Sequence, residues 1–324
     1  MNFNGVMEMV KKISNNEETQ VIIIDPGYGD WKFIFGSKIG KVSTSIKRSE
    51  ERALSFGLNK VDSVLNKDEF LFNGAKWYVG NAIAEMGALS SRDYTFIEKF
   101  APLLAYKCFE DSGININNPI KIKTCLSLLD FKNQAESFKK ALSVINVNNK
   151  VINCEVEVYP QGFVSFIDYA SSTGISEYSG LYTATNIGYN SVDFVAILDG
   201  EVTYATANPN GVNVMIKELK QYLEDKFKTH FNEKEVKPIF IQGYLDIAGK
   251  RIDLSDIIAT IKLKYFDTFF HSLPDVNDYF RKAKVNVLAG GGVYYLEDAE
   301  LADNMAFVNQ PYEFSDARGT LNYE

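Results

Sequence analysis

Histidine is nearly absent from this 324-residue chain, with His230 and His271 standing far apart, so neither a zinc site nor a histidine-based triad has much to build on. Cysteine is scarce as well. Cys108, Cys125 and Cys154 include no C-x-x-C pair, and their odd number leaves at least one thiol unpaired, which fits a reducing cytoplasm. Positive charge is in deficit: 34 Lys and Arg face 42 Asp and Glu, a net charge of −8. A chain of that sign does not coat DNA by itself, because phosphate binding needs clustered cations, and any nucleic-acid role calls for an adaptor. No apolar run approaches the ~20 residues that span a bilayer, and the first residues lack the unbroken apolar core of a signal peptide. A soluble, cytoplasmic protein is expected. Nor does any Pro- or Ser-rich stretch divide the chain as a linker would.

What is present is enough apolar content, 46% of the residues, to fill one large or two medium cores. Residues 1–20 read as an N-terminal extension. Phe3, Val6, Met7, Val10 and Ile13 fall at helical spacing there, either as a short membrane or partner anchor or as a helix capping the body. The run Val21-Ile22-Ile23-Ile24 predicts a buried strand ending in Asp25-Pro26-Gly27-Tyr28-Gly29-Asp30, and Trp31 to Phe35 returns as a second strand. Further on, short strands are predicted at Glu69–Phe72 and Lys76–Val79 about Asn73-Gly74, with helices at Phe96–Glu110 and Asn133–Ile145. Strands at Ile120–Leu126 and Val151–Tyr159 accompany them, and an apolar helix, Phe163–Ala170, follows Pro160-Gln161-Gly162.

The second half repeats the opening: strand Gly180–Thr185, turn Asn186-Ile187-Gly188-Tyr189-Asn190-Ser191, strand Val192–Leu198, and a further strand Glu201–Thr206. The repetition points to two folds related by duplication. Helices are predicted at Gly211–Thr229 and Leu254–Phe270, with a strand at Val236–Gln242 between them. Strand Lys284–Leu288 then enters Ala289-Gly290-Gly291-Gly292, with a helix after it.

Three glycine turns carry the candidate chemistry. In the first, Gly27 and Gly29 let backbone N–H groups converge on an anion, phosphate by preference. Lys32 returns toward the same place to neutralise outer phosphates, and Asp25 is placed for a hydrated Mg²⁺, which prefers oxygen ligands and keeps its waters. The second turn supplies Gly188, Asn190 and Ser191 as donors, followed by Asp193; two such turns can grip one polyphosphate. Gly290, Gly291 and Gly292 admit a flat or ribose-bearing group close to the backbone.

With these turns in this order, the sequence resembles the actin-like ATPases from Val21 onward, most of all the ParM/StbA plasmid-segregating group and its archaeal actin-like relatives. Asp25 to Lys32 is similar to the family's first phosphate motif, Asn186 to Asp193 to its second, and Leu288 to Gly292 to its adenosine motif. Tyr78-Val79-Gly80-Asn81-Ala82 resembles a hairpin segment of the small subdomain, and Pro160-Gln161-Gly162 the first connecting helix. The resemblance implies an α/β fold of two duplicated ribonuclease-H-like domains with a nucleotide cleft between them. Domain I would cover 21–172, with a small subdomain at about 43–95. Domain II would cover 173–324, with an insertion at about 216–282 and a C-terminal segment packing back on domain I.

It implies ATP or ADP with Mg²⁺ as ligands, Asp25 near the metal, and Gln161 orienting the attacking water. Gly27, Tyr28, Gly29, Asp30, Lys32, Gly188, Tyr189, Asn190 and Ser191 would lie about the phosphates, and Lys217 and Glu218 near the ribose or base. For that last pair an exposed helical face with Lys220 and Glu224 is the other reading. One position departs from the family: the second motif normally opens with Asp, and here stands Asn186. Asn holds water but cannot take its proton, so a slow ATPase is expected, with Asn186→Asp releasing phosphate faster. The function implied is a head-to-tail filament that segregates plasmid DNA through a DNA-binding adaptor. The alternatives are a non-polymerising nucleotide-dependent scaffold and a sugar or acid kinase of the same fold.

Overall fold

The computed structural model describes residues 19–49, 68–83, 93–272, 274–297 and 302–323; the Phe3–Ile13 stripe lies outside them. The chain divides into two compact units, one made of 1–125 with 133–159, the other of 126–132 with 160–324.

The first unit grows from β1 (Gln20–Pro26), whose Ile22, Ile23 and Ile24 are all buried. Consecutive burial means that both faces are covered, which is why the run is continuous rather than alternating. β2 (Asp30–Phe35) and β3 (Lys38–Ser43) follow as antiparallel neighbours. With β7 (Ile120–Leu126), β8 (Val144–Val147) and β9 (Lys150–Pro160) they form a six-stranded sheet ordered β3-β2-β1-β7-β9-β8, in which β7 runs parallel to β1. A three-stranded sheet ordered β4-β6-β5 comprises β4 (Ile46–Arg48), β5 (Glu69–Phe72) and β6 (Ala75–Val79). Helix α1 (Tyr94–Ser112) starts where the Asp93 carboxylate accepts the Thr95 N–H and ends at left-handed Gly113. Its buried Phe100, Leu103, Leu104 and Phe109 belong to the core.

Helix α2 runs from Leu128 to Ser143. It was expected at Asn133–Ile145; the β-branched pair Val144-Ile145 instead opens the edge strand β8, because Ile145 is buried in strand alternation.

The second unit repeats the topology. β10 (Leu181–Ile187), β11 (Val192–Leu198) and β12 (Glu201–Asn208) form an antiparallel meander, and β15 (Val285–Ala289) lies parallel to β10 as β7 does to β1. Strand β16 (Met305–Phe307) completes the order β12-β11-β10-β15-β16. Phe194, fully buried, centres the core beneath α4 (Asn213–Phe227), α5 (Glu233–Gln242), α6 (Ser255–Ser272) and α7 (Pro274–Lys282). A second apolar cluster includes Phe166 of the helix Phe163–Thr173, here α3, together with Val287 and Tyr312. The C-terminal helix α8 (Ser315–Asn322) crosses α3 so closely that a β-carbon at Gly319 would stand 1.7 Å from the Val164 carbonyl oxygen.

The strand expected at Val236–Gln242 is part of α5. Asn232 and Glu235 form a capping box there, each side chain bonding the other's backbone N–H, and this start signal outweighs the β-branched look of the run. A hairpin of β13 (Tyr244–Ile247) and β14 (Lys250–Asp253) follows α5. From the second glycine of the triple-glycine segment the chain makes only a 3₁₀ turn, Gly291–Tyr295, rather than the expected α-helix.

Candidate functional site

The two strand turns are built alike. Asp25 pairs in register with Lys32 across β1 and β2, and Asn186 with Asp193 across β10 and β11. Each turn is closed by a glycine N–H: Gly27 to the Asp30 carbonyl at 3.1 Å, Gly188 to the Ser191 carbonyl at 2.8 Å. A β-carbon at Gly27 would lie 2.5 Å from that Asp30 oxygen, so the turn requires glycine whatever it binds, whereas Gly29 faces open space.

In the first unit the Thr44 hydroxyl donates to the Gly27 carbonyl at 2.7 Å and the Thr44 N–H to the Gly29 carbonyl at 2.9 Å. The C=O and N–H of a trans peptide point in opposite directions, so holding these carbonyls aims the Tyr28 and Asp30 N–H groups to the other side of the turn. Lys32 reaches the buried Asp25 carboxylate at 2.7 Å, and its ammonium lies 3.4 Å from where a Gly27 β-carbon would stand. The ammonium is thereby fixed beside the turn. The Cys125 thiol donates to the other Asp25 oxygen at 3.5 Å.

In the second unit the N-terminus of α4 plays the part of Thr44. The N–H groups of Gly211, Val212 and Asn213 donate to the carbonyls of Asn190, Gly188 and Tyr189 at 3.1, 3.1 and 3.0 Å. The same peptide geometry turns the N–H groups of Tyr189, Asn190 and Ser191 away from α4. Gly211 must be glycine, since a β-carbon would meet the Tyr189 carbonyl oxygen at 2.5 Å. The Asn190 amide oxygen accepts from Asn213 at 2.9 Å, while its nitrogen is buried with no hydrogen-bond partner. Tyr189 is anchored outward, its hydroxyl on Glu233 at 2.5 Å and its ring under the Lys237 ammonium at 3.8 Å.

Asp193 is the carboxylate of this turn. It is buried and accepts from the Ser127 hydroxyl at 2.8 Å, the Leu128 N–H at 2.6 Å and the Ser191 hydroxyl at 3.3 Å. Burial raises its pKa to about 6 against the lowering effect of these donors. Gln161 neighbours it: the Gln161 N–H is tied to the Leu126 carbonyl at 2.8 Å, and a β-carbon at the adjacent Gly162 would be 3.5 Å from that of Asp193. Asn186 is buried, its amide nitrogen donating to Asp316 on α8 at 2.5 Å.

The triple glycine has a packing role. A β-carbon at Gly290 would stand 2.1 Å from the Asn186 amide oxygen, and one at Gly292 2.3 Å from the Ile187 side chain. Gly291 faces Glu313 at an ordinary 3.4 Å.

Residues 24–163 match the family model for the N-terminal domain of actin-like proteins. The chain has the actin-like fold. The archaeal actin homologue Ta0583 superposes with a TM-score of 0.75 at 16% identity, over 93% of this chain and 98% of that one. A ParM subunit of a 15-stranded filament from Clostridium botulinum gives 0.72 at 19% identity, over 94% and 98%. Bacillus thuringiensis ParM with ATP gives 0.61 at 15% identity, over 94% and 97%. No curated protein matches the sequence.

Within the actin-like frame, Lys217 and Glu218 lie on α4, Lys217 exposed and Glu218 ion-paired with Lys264 of α6 at 2.7 Å. Among the described residues no group of three or more His, Cys, Asp or Glu side chains is arranged to hold a metal, and no helix is long and apolar enough to cross a membrane. The three cysteines are buried and none is in a disulfide. Sequence reading missed Thr44, Gly211, Asn213, Ser127 and Asp316. The first three act through backbone groups or carbonyls that no side-chain pattern announces, and Ser127 and Asp316 stand far along the chain from the turn they serve.

Proposed function

We propose that this actin-like chain binds ATP with Mg²⁺, hydrolyses it slowly, and assembles head to tail into a filament whose stability depends on the bound nucleotide. The observation that carries the reading is the second turn. Three of its carbonyls are held on α4, its N–H groups are aimed the other way, and the buried Asn190 amide nitrogen still has a hydrogen to give. A buried donor without an acceptor is costly, and an anionic oxygen relieves that cost. The Asp25–Lys32 turn has the same build and an ammonium in place.

A polyphosphate suits these donors. A magnesium ion with most of its waters retained suits a turn that offers the Asp25 carboxylate, itself held by Lys32, and would supply charge neutralisation of the phosphates. Lys32 neutralises outer phosphate charge, Gln161 orients water beside Asp193, and Asn186 holds position without taking a proton. Lys217 and Glu218 are proposed at the ribose or base, and Gly290 to Gly292 beneath the adenosine. Support comes from relatives of the same fold: the archaeal actin homologue was solved in complex with ADP, and the Bacillus thuringiensis ParM with ATP. By the same analogy the cargo is plasmid DNA, gripped through a separate DNA-binding adaptor.

Calorimetric titration with ATP and Mg²⁺ tests the site. The wild-type chain is expected to bind, and Asn190→Ala to bind at least about tenfold more weakly while keeping its circular dichroism, since one charge-assisted donor is worth roughly 1.5–3 kcal/mol. Undiminished binding by the variant, or none by the wild type, would refute the assignment.

A further inference from the structure

The carboxylate that the second turn lacks at position 186 stands next to it on another element. Asp316, in the first turn of α8, is buried; one oxygen accepts the Asn186 amide N–H at 2.5 Å and the other the Ser165 hydroxyl at 2.5 Å. Ser315 beside it accepts the Gly290 N–H at 3.2 Å, so the start of α8 is tied to the triple-glycine segment as well as to β10. Helix α8 has little freedom to withdraw, because Gly319 rests on the Val164 carbonyl and Arg318 forks onto Asp168 at 2.8 and 2.7 Å.

The Asp316 oxygen that faces Asn186 accepts from its amide nitrogen, so Asp316 decides which way the Asn186 amide points. The NH₂ faces α8. The amide oxygen therefore lies on the Gly290 side, in space that a side chain at 290 would fill. We infer that Asp316 is a positioning residue: it orients Asn186 so that an acceptor, as an aspartate would offer, rather than a donor is presented at the second phosphate turn. The inference rests on the reading of that turn as a nucleotide site.

It also changes what Asn186→Asp does. That substitution sets two carboxylates where one hydrogen bond stood, and two like charges at that distance cannot both ionise. The exchanged pair, Asn186→Asp with Asp316→Asn, keeps one charge and one hydrogen bond with the donor on the other side.

The test is a cycle of four full-length proteins: wild type, D316N, N186D and N186D/D316N. Thermal melting, ATP affinity and steady-state phosphate release are measured on each. D316N puts at 316 an amide that can donate as well as accept, so the Asn186 amide is no longer held in one orientation and can turn its NH₂ toward the turn; phosphate release is expected to fall at least about fivefold with ATP affinity changed less than twofold. N186D is expected to melt several degrees lower, and N186D/D316N to recover the wild-type melting temperature and to release phosphate at the wild-type rate or faster. Unchanged turnover in D316N overturns the positioning role, and so does a double variant no more stable than N186D. A wild type that binds no ATP while the melting cycle shows this rescue overturns the nucleotide reading and leaves the Asn186–Asp316 pairing standing.

Discussion

Asp193 carries opposing demands on one side chain. Three donors favour its charged form, yet burial prevails and lifts its pKa from the ordinary 3.8 to about 6. Between those values the folded chain holds a proton that the unfolded chain has released. Stability from this group is therefore greatest below pH 4 and falls as pH rises through 6, by an amount on the order of 2–3 kcal/mol. Asp193→Asn keeps an acceptor for Ser127 and Leu128 and removes the titration. Urea unfolding of both proteins at several pH values from 4 to 7 should show the variant gaining on the wild type as pH rises; parallel curves would refute the assignment. Other carboxylates are pushed upward as well, Glu110 and Asp168 chiefly by burial, so the difference between the two proteins is the quantity to read. Asp193 was nominated from sequence because it ends a recognisable turn. Its partners were not, since Ser127 lies 66 positions away, and Asp316 lies 130 positions from Asn186. Such contacts belong to the folded topology and leave no local periodicity.

Among the elements, the strands were the most legible. β7 and β11 run over Ile120–Leu126 and Val192–Leu198 as predicted: β7 alternates buried Ile120 and Ile122 with half-buried Lys121 and Lys123, and β11, buried along nearly its whole length, shows that length as hydrophobicity. Helix α5 was misread for the same reason: Val236 to Ile241 is apolar and β-branched enough to pass for a strand, and only the Asn232–Glu235 box distinguishes it. Glycine was legible as a turn marker but not as a packing device. Gly319 looks unremarkable in sequence, yet a methyl group there would strike the Val164 carbonyl and force α8 off α3. Gly319→Ala is expected to cost at least about 3 kcal/mol, at or beyond the upper end of ordinary overpacking, because backbone rather than a flexible side chain is in the way. Gly29→Ala makes the opposite case. Nothing stands within 4 Å of its β-carbon and its φ is not left-handed, so its stability should stay within about 0.5 kcal/mol of wild type. Denaturant midpoints for the two variants check both statements, and equal losses would mean that the α3–α8 crossing is not as tight as described.

At the scale of the whole chain, duplication gives each unit the same meander and parallel neighbour, but the charges at matching positions differ. Where the first turn sets Asp25 opposite Lys32, the second sets Asn186 opposite Asp193 and borrows Asp316. The first turn is neutral as a pair, whereas the second keeps carboxylates close by, so phosphate charge is tolerated there only with donors and a cation to offset it. Under the proposed function, this asymmetry predicts assembly that depends on Mg²⁺ as well as ATP. Sedimentation of the full chain should therefore show a pelleted fraction with ATP and Mg²⁺ together, less with ADP and Mg²⁺, and little with ATP and a chelator. Asn190→Ala, weakened at the second turn, should need a correspondingly higher ATP concentration to pellet, because a ligand shifts an equilibrium only by its differential affinity for the two states. Pelleting that ignores nucleotide would separate assembly from the site. No pelleting at high protein concentration would remove the filament from the proposed function and leave a nucleotide-binding scaffold of the actin-like fold.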